Sequence, residues 1–507
     1  MARSVSLVSK RFYRVLALVC VTALAIVWMA FALAGAQSAW AAQEASTLHA
    51  GDAISIGVAD EEALVDDENG RITVSERTAG TVSFNSSTCV LTLNNLKADE
   101  VYVSYPKPVT INLVGASVVD TFADNCDAAT IKGSGSFKGD FQIDAGDNAT
   151  LTVAGGKLVG EIKGAYGARL VVKGGTVVGS VTLEGPITVK GGTIRGTSLD
   201  HGISCYSFKM TSGVVNFSKV EVGVQIGYNG IKSCDFVMSG GKIVISQPST
   251  GIDLFGCNAK ISGGTIKIVK AADCAIEVGQ YKNKGKKIGG TLKVTGGKLT
   301  CTSKSDTAID AESMKNKLGT LKKIQGYLPI GATFVLAKNT YQVTYWGYAT
   351  LLKYGSTSKK ATIYKVKYGN KAYEVTGIGK NAFNTKAGKK VKSIIIKSPI
   401  NKISAKAFAG TKSLKLLKFA NRGNNWIDGK TKTVSGEMNE WEEYTSFFVC
   451  EGVSVSNKAF ANMGTNGGTG LTVRIADFNT FEPQEMVLFE KFMKSKGMPA
   501  NVKLVTV

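Results

Sequence analysis

An apolar–x–apolar–x–Gly–Gly–x–apolar phrase recurs seven times between residues 151 and 299, and it limits the folds open to this chain. The copies are LTVAGGKL (151–158), LVVKGGTV (170–177), ITVKGGTI (187–194), FKMTSGVV (208–215), FVMSGGKI (236–243), AKISGGTI (259–266) and LKVTGGKL (292–299). Successive second glycines are separated by 17 to 33 residues. Repeats of this length cannot each bury a core, so they must stack on their neighbours. The pattern therefore predicts a repeat surface instead of a closed pocket.

Two structures produce such a phrase. A Gly-Gly pair between alternating apolar residues is typical of a β-hairpin with a two-residue turn. The same pair also marks a corner of a parallel β-helix, where glycine lets the chain bend between short strands. A second apolar phrase recurs in the later repeats, as HGISC (201–205), VGVQIG (222–227), TGIDLFG (250–256), CAIEVG (274–279) and TAIDA (307–311). Two short strands per repeat, joined by loops of varying length, favour the parallel β-helix.

The composition and the order of patterns predict a mainly β protein. The chain has 58 glycines and 8 prolines, which suits tight turns between strands. One amphipathic helix, at 482–496, is expected to cap the end of the stack. The predicted parts are a signal peptide (1–42), an N-terminal β segment that caps the solenoid (43–90), a Gly-Gly repeat β-helix (91–318), a β connector (319–374) and a leucine-rich repeat region (375–507).

The first residues have the pattern of an export signal. Basic residues precede an apolar run at 15–34, and a small-residue stretch follows it. Ala39-Trp40-Ala41 fits the A-x-A cleavage pattern, so we expect cleavage after Ala41 or Ala42. The alternative is an uncleaved anchor, because the apolar run is long enough to span a bilayer, and the leader would then be the only membrane contact. In either case the body of the protein is expected to be secreted or associated with the cell surface.

Three cysteines occupy similar places in consecutive repeats. Cys205, Cys234 and Cys257 lie seven or eight residues before the second glycine of the phrase that follows each of them. Similar offsets predict one column, with the cysteines roughly 4.8 Å apart. One interpretation is a ladder of small buried thiols. The other is a Cys205–Cys234 disulfide, which an exported location permits.

The charge balance and one aromatic cluster suggest ligands. The formal net charge is +22, which favours anionic partners such as cell-wall polymer or acidic polysaccharide. The sequence has no recognition-helix pattern, RNA-stacking motif or zinc-finger spacing, so we expect no nucleic-acid partner. Tyr345, Trp346 and Tyr348 are consistent with a sugar-stacking platform or with ordinary packing between strands.

The alternative function is that of a polysaccharide lyase or hydrolase acting on acidic glycans. Such enzymes need clustered carboxylates. Asp200 and His201 are the best local candidates, with Asp253 and Glu277 in later repeats, but their offsets from the glycine pairs do not place them on one face. No G-x-S-x-G, H-E-x-x-H or P-loop motif is present. We therefore expect a non-catalytic protein with no cofactor and no bound metal.

The C-terminal phrase IGKNAF…KSIIIKSPINKISAKAFAGTKSLK resembles BspA-type leucine-rich repeats of bacterial surface proteins. The residues that match the family pattern are Ile378, Gly379, Ala382, Phe383, Ile403, Ala407 and Phe408. Ser404 stands where the family has glycine, and a third copy (453–460) is irregular. The resemblance implies an interaction surface without catalysis, for a host or bacterial surface protein.

The earlier pattern CVLTLNNL…VTINLVGAS…VAGGKLVG…VKGGTV, within 85–301, is similar to carbohydrate-binding β-helix proteins exported by Gram-positive bacteria. This resemblance implies polysaccharide binding, although it identifies no ligand residue. Together the two resemblances imply an exported, adhesin-like bacterial surface protein. It would bind polysaccharide or cell-wall polymer through the β-helix and protein partners through the leucine-rich repeats.

Overall fold

The computed structural model describes residues 61–67, 70–144, 148–227, 234–283, 286–420, 454–464, 471–475 and 490–506. All of them belong to one compact unit, Ala50–Val507. The predicted leader with its cleavage residues Ala41 and Ala42 lies outside the described residues. Within the described ranges, no helix is both long enough and apolar enough to cross a membrane.

Antiparallel strands cover the N-terminal end of the structure. They are β1 (Glu61–Asp67), β2 (Gly70–Ser75), β3 (Ala79–Asn85) and β4 (Val90–Ser104). β2 and β3 both pair antiparallel with β4, and β1 pairs with β2. β4 in turn pairs in parallel with the strands that follow it. The long β4 therefore joins the antiparallel end to a parallel region.

The parallel region extends to residue 324. Its strands are β5 (Val109–Val114), β6 (Ala116–Asp124), β7 (Ala128–Gly133), β8 (Ser136–Ile143), β9 (Thr150–Val153), β10 (Lys157–Val159), β11 (Ile162–Gly164), β12 (Arg169–Val172), β13 (Thr176–Val178), β14 (Val181–Leu183), β15 (Pro186–Thr197), β16 (His201–Cys205), β17 (Ser207–Ser218), β18 (Val222–Ile226), β19 (Asp235–Met238), β20 (Lys242–Ser246), β21 (Thr250–Phe255), β22 (Asn258–Ile261), β23 (Thr265–Ala271), β24 (Ile276–Asn283), β25 (Lys286–Gly289), β26 (Thr291–Val294), β27 (Lys298–Ser303), β28 (Ile309–Ala311), β29 (Ser313–Asn316) and β30 (Leu321–Ile324). β25 is the exception to parallel pairing, since it forms an antiparallel hairpin with β24.

Parallel pairing sorts these strands into three faces that wind as a solenoid. The first face runs through β4, β5, β7, β9, β12, the start of β15, the start of β17, β19, β22, β26 and β29. The second face runs through β6, β8, β10, β13, the ends of β15 and β17, β20, β23, β27 and β30. The third face runs through the ends of β6 and β8, then β11, β14, β16, β18, β21, β24 and β28. The predicted mainly β, parallel arrangement is confirmed, and the hairpin interpretation of the Gly-Gly phrase is wrong.

Each Gly-Gly pair is the corner between the first and second faces. At Gly264 the backbone has a φ of +79°, a conformation that glycine adopts without the steric cost of a Cβ. The preceding residue, Gly263, is restricted by space instead. A Cβ there would overlap the carbonyl oxygen of Ser239 in the neighbouring rung. Where Ser212 replaces the first glycine, the pairing of β15 with β17 becomes irregular. Close backbone stacking at this corner is thus what the repeated phrase encodes.

The inside of the solenoid is filled by columns of apolar side chains. Alternate residues of the short strands are buried, as expected for strands with one face against a core. Phe122 stacks on Phe141 of the next rung with ring centroids 4.5 Å apart, and Phe208 stacks on Phe236 at 5.6 Å. The core is therefore continuous from rung to rung, and each rung depends on its neighbours for burial.

A further set of strands follows the solenoid. They are β31 (Thr333–Leu336), β32 (Asn339–Tyr345), β33 (Tyr348–Lys353), β34 (Lys360–Ile363), β35 (Lys365–Tyr368), β36 (Lys371–Ile378), β37 (Ser393–Ile396), β38 (Lys402–Ile403), β39 (Leu416–Phe419), β40 (Ser454–Val455), β41 (Thr472–Ile475) and β42 (Lys503–Thr506), with a 3-10 helix at Gly388–Lys390. One parallel column joins β33, β36, β38 and β40, and another joins β34, β37, β39, β41 and β42.

Aromatic rings stack between the two columns of this C-terminal part. Phe383, Phe408 and Phe460 each come from one copy of the repeated C-terminal phrase, and all three are buried. Their ring centroids are 5.8 and 5.5 Å apart in succession, and Tyr354 continues the stack at 5.0 Å from Phe383. Residues 490–495 form the short terminal helix, whose Met493 is buried against the core. The rest of the predicted helix, 482–489, lies outside the described residues.

One core position of the solenoid is occupied by a carboxyl group. Asp124 stands in register between Val103 and Ile143, both fully buried, and is itself 1% exposed. Its Oδ1 accepts a hydrogen bond of 3.2 Å from the backbone N–H of Cys126, while its Oδ2 has no partner. Burial, with a smaller contribution from the nearby Asp144 carboxyl, raises the pKa of Asp124 to about 7. Asp124 is therefore protonated in the folded protein at mildly acidic pH.

We predict that this carboxyl makes the fold less stable as the pH rises. The unfolded chain loses the Asp124 proton near 3.8 and the folded chain near 7, so stability falls between these values and levels off above them. The difference corresponds to about 4 kcal/mol. Replacing Asp124→Asn should remove most of this slope, which urea unfolding at a series of pH values measures. A smaller slope should persist, because burial also raises the pKa of Asp144. An unchanged slope in the variant would contradict the assignment.

We also predict that replacing Gly263, the first glycine of its pair, destabilises the fold. Gly263→Ala introduces a Cβ against the backbone of the neighbouring rung and should cost about 1–3 kcal/mol of unfolding free energy. Gly279→Ala is the matched control, because its nearest neighbour, the Leu254 carbonyl oxygen, would be at an ordinary 3.5 Å. The control should change stability by no more than about 0.5 kcal/mol. Equal urea midpoints for the two variants would refute the close-packing explanation.

Candidate functional site

Three exposed aromatic residues lie together at the tip of the β32–β33 hairpin. Tyr345 and Tyr348 face each other across the turn, with ring centroids 6.4 Å apart and planes 29° from parallel. Between them Gly347 has a φ of +72°, which allows the tight turn. The exposed fractions are 62% for Tyr345, 51% for Trp346 and 39% for Tyr348. We call these three residues the aromatic tip.

The aromatic tip is anchored to the core at its base. Trp346 contacts the ring of Tyr327, with centroids 6.1 Å apart, and Tyr327 packs edge-on against Tyr373 at 5.7 Å. The hydroxyl of the buried Tyr373 accepts a hydrogen bond of 2.7 Å from the backbone N–H of Leu328. Burial raises the pKa of this hydroxyl, so it stays protonated. The exposed rings are thus held by a rigid base, which limits the entropy lost when a ligand binds.

Polar groups adjoin the aromatic tip on the solenoid side. The Lys371 ammonium lies 5.0 Å above the ring of Tyr327 and forms an ion pair of 2.6 Å with Asp306. The backbone also connects the two parts, since the N–H of Tyr327 donates to the carbonyl oxygen of Asp306. Asp306 is mostly exposed in this pair, with 78% of its side chain accessible. A ligand lying on the rings would therefore meet charged hydrogen-bonding groups at their edge.

These positions agree with both interpretations of the aromatic cluster. Tyr345 packs on Tyr348 across the strands and Trp346 on Tyr327, while Tyr345 and Trp346 are also more than half exposed. The turn places Trp346 beyond the paired strands, and Tyr345 is the last residue of β32. Part of each ring surface is therefore open to solvent.

The structure brings together carboxylates that sequence reasoning left apart. Asp253 of β21 lies opposite Glu277 of β24, which lies opposite Asp310 of β28. These three residues, the carboxylate column, point outward from the third face in consecutive rungs and are half-buried. Their offsets from the preceding second glycine are 12, 13 and 13 residues, so counting from that glycine would have found them. The spacing from the glycine pairs does not place Asp253 and Glu277 on one face, whereas the register of the strands does.

Asp200 and His201 lie at the edge of the same face, away from this column. His201 pairs with Val222, which pairs with Thr250, three residues before Asp253. Two rungs, about 10 Å at the usual strand spacing, thus separate His201 from the rung of Asp253. The structure therefore does not assemble Asp200, His201 and Asp253 into one constellation.

The disulfide lies one rung further along than the predicted Cys205–Cys234 pair. Cys234 is bonded to Cys257, and Cys205 is a buried free thiol. The register explains this, because Phe208 pairs with Phe236 and so places Tyr206, not Cys205, across from Cys234. The same register places Cys257 directly across from Cys234, with a Cα–Cα distance of 5.2 Å. The sequence held this signal, since Cys234 and Cys257 both lie seven residues before their glycines and Cys205 lies eight.

One small cavity lies within the described C-terminal strands. This cavity, lined by Asn339, Tyr341 and Tyr354, among others, has a volume of about 10 Å³, the space of one water molecule. Among the described side chains, no group of three or more His, Cys, Asp or Glu is arranged to hold a metal ion.

We predict that the disulfide assignment will appear in a peptide map. Digestion without reduction should yield one cross-linked peptide containing Cys234 and Cys257, with Cys205 alkylated only after unfolding because it is buried. Cys205→Ser should leave this peptide intact and Cys234→Ser should abolish it. Recovery of a Cys205–Cys234 peptide instead would overturn the register described above.

Comparisons of the chain with models of known families, with curated proteins and with solved structures found no match. The candidate site is therefore defined by its geometry. It consists of an anchored aromatic tip at the end of the solenoid, with the Lys371–Asp306 pair beside it. A flat, exposed, partly charged surface of this kind binds ligands by stacking and hydrogen bonding, without enclosing them.

Proposed function

We propose that this protein is an exported, non-catalytic, adhesin-like surface protein of bacteria that binds polysaccharide. The observation that carries the proposal is the exposure of three large aromatic side chains on one anchored hairpin, Tyr345, Trp346 and Tyr348. The export pattern of the first 42 residues and the resemblance of the central repeats to carbohydrate-binding β-helix proteins support it.

The chemistry of sugars fits this surface. One face of a pyranose ring carries axial C–H groups, which pack against the negative face of an aromatic ring. The hydroxyls at the edge of the sugar can donate to the Asp306 carboxylate and accept from the Lys371 ammonium, which lie beside Tyr327. Because an aromatic ring and a mixed ion pair carry no net charge together, we assign a neutral polysaccharide to this site.

The C-terminal part is proposed to be a short BspA-type leucine-rich repeat domain. Its support is the stack of Phe383, Phe408 and Phe460, one from each copy of the phrase, between two parallel columns of strands. Equivalent residues lie over one another, as stacked repeats require. The outer surface of this domain is proposed to contact a protein partner, on the host or on another bacterium.

The alternative function, a polysaccharide lyase or hydrolase, has one observation in its favour. The carboxylate column places Asp253, Glu277 and Asp310 on consecutive rungs, roughly 4.8 Å apart along the sheet. Retaining glycosidases hold their two carboxyl groups about 5–5.5 Å apart. Binding assays should therefore also record new reducing or unsaturated ends, and an activity lost in Glu277→Gln would favour the enzyme.

We predict that Trp346→Ala weakens polysaccharide binding by about thirtyfold. This corresponds to about 2 kcal/mol, the usual cost of truncating an aromatic residue at the centre of a binding surface. Affinity electrophoresis against a panel of neutral glucans, mannans and galactans measures the change. The variant should keep its circular dichroism spectrum, because Trp346 lies at the tip and its side chain is half exposed.

Tyr166→Ala is the matched control for this experiment. Tyr166 is 64% exposed but lies far from the hairpin in the chain, where it contacts Tyr206. The Tyr166→Ala variant should bind every polysaccharide as tightly as the unchanged protein does. An equal loss in both variants, or no retention of the unchanged protein by any neutral polysaccharide, would reject the aromatic tip as the binding site.

A further inference from the structure

Exposed lysines form a line on the first face of the solenoid. In successive rungs, Lys209 pairs with Val237, Val237 with Lys260, Lys260 with Lys293, and Lys293 with Lys315. All four lysines are exposed. Strands of a sheet lie about 4.8 Å apart, so the line has one cation per rung over its last three rungs. We call Lys209, Lys260, Lys293 and Lys315 the lysine column.

The protein itself does not neutralise this column in the part of the chain that the structure describes. The described ion pairs, which involve Lys163, Lys371 and Lys494, include none of the four lysines. The acidic residues on the same face are Asp235, which lies opposite Asn258, and Glu312, at the start of the last rung. Like charges directly opposite on neighbouring strands destabilise a sheet. An anion bound along the column would relieve this repulsion.

The charges are segregated between the faces. The adjoining second face adds exposed lysines at its outward positions, Lys242, Lys267, Lys298 and Lys323. The third face of the same rungs carries the carboxylate column instead. A negatively charged chain is thus attracted to the first two faces and repelled from the third. Because the lysines follow the stacking direction, the attraction is strongest for a chain that lies parallel to the solenoid axis.

We propose that the lysine column is a second binding surface and that its partner is a linear acidic polysaccharide, with one carboxylate per sugar or per disaccharide. A narrow chain with regularly repeated charges can place an anion near each lysine along a strand face. The lysine column has no aromatic residue on which bases could stack. Its cations are all lysine, and it has no arginine to form bidentate hydrogen bonds with a base edge. These features favour polysaccharide over nucleic acid.

This surface is separate from the aromatic tip and does not depend on it. The aromatic tip suits a neutral sugar face, whereas the lysine column offers charge and no stacking surface. The two surfaces therefore predict different ligands, and each can fail without the other. Binding of a neutral polysaccharide should depend on Trp346 and not on the lysine column. Binding of a polyuronate should depend on the lysine column and not on Trp346.

The test is a titration of the purified protein with polygalacturonate, monitored by calorimetry at several salt concentrations. The triple variant Lys260→Gln, Lys293→Gln, Lys315→Gln should bind at least tenfold more weakly. Its affinity should also depend less on salt, because fewer counterions are released on binding. Fully methyl-esterified polygalacturonate, which lacks the charges, should not distinguish the triple variant from the unchanged protein. Trp346→Ala should bind polygalacturonate as the unchanged protein does.

The control variant is Lys107→Gln, Lys132→Gln, Lys157→Gln. These three lysines are exposed and precede the rungs of the lysine column: Lys107 lies in a loop, Lys132 on the first face and Lys157 on the second. The variant therefore loses the same net charge without touching the lysine column. It should retain its affinity for polygalacturonate. An equal loss in both triple variants would show that only net charge matters and would overturn the proposal. Equally tight binding of duplex DNA through the same three lysines would overturn the assignment to polysaccharide.

Discussion

The structure depends on one constraint, the close parallel stacking of each rung's backbone on the rung below. The Gly-Gly corners set this stacking, because at Gly263 even a methyl group would overlap the backbone of the adjacent rung. Once the corners are aligned, every residue lies over a counterpart one repeat away. Sequence similarity between repeats is thereby converted into columns in space. The phenylalanine stacks inside the solenoid and the charged lines outside it are consequences of the same register.

This register also explains which parts of the structure the sequence predicts. The corner phrase recurs with little variation, so the parallel arrangement and the first and second faces follow from it. The third face is harder to align, because insertions lie between it and the next first face, such as the β24–β25 hairpin. Offsets measured across such an insertion vary widely, whereas the offsets of Asp253, Glu277 and Asp310 from the preceding glycine differ by one residue at most. Asp253 and Glu277 share a face for this reason, although their distances to the following glycine pair differ.

The cysteines show that a difference of one residue in offset changes which side chains meet. A difference of one residue, eight instead of seven before the glycine, moves Cys205 out of the position opposite Cys234 and leaves it in a strand of the third face. Cys257, at the same offset as Cys234, takes that position and forms the disulfide. For these cysteines, the equal offsets of Cys234 and Cys257 coincide with contact, and the offset of Cys205, longer by one residue, does not. Exposure of the aromatic tip has a different origin. The tight turn at Gly347 carries Trp346 beyond the paired strands, which a periodic pattern alone does not reveal.

A solenoid with this register keeps side chains of different charge on separate faces. Its lines of side chains run the length of the stack, and each face carries its own line. Substituting one outward position in several repeats therefore changes the charge of one face and leaves the others as they were. In the described rungs from 209 to 323, two faces carry lysines and the third carries carboxylates. The net charge of +22 therefore does not describe how the charges of these rungs are arranged. Their positive and negative residues form separate, parallel lines.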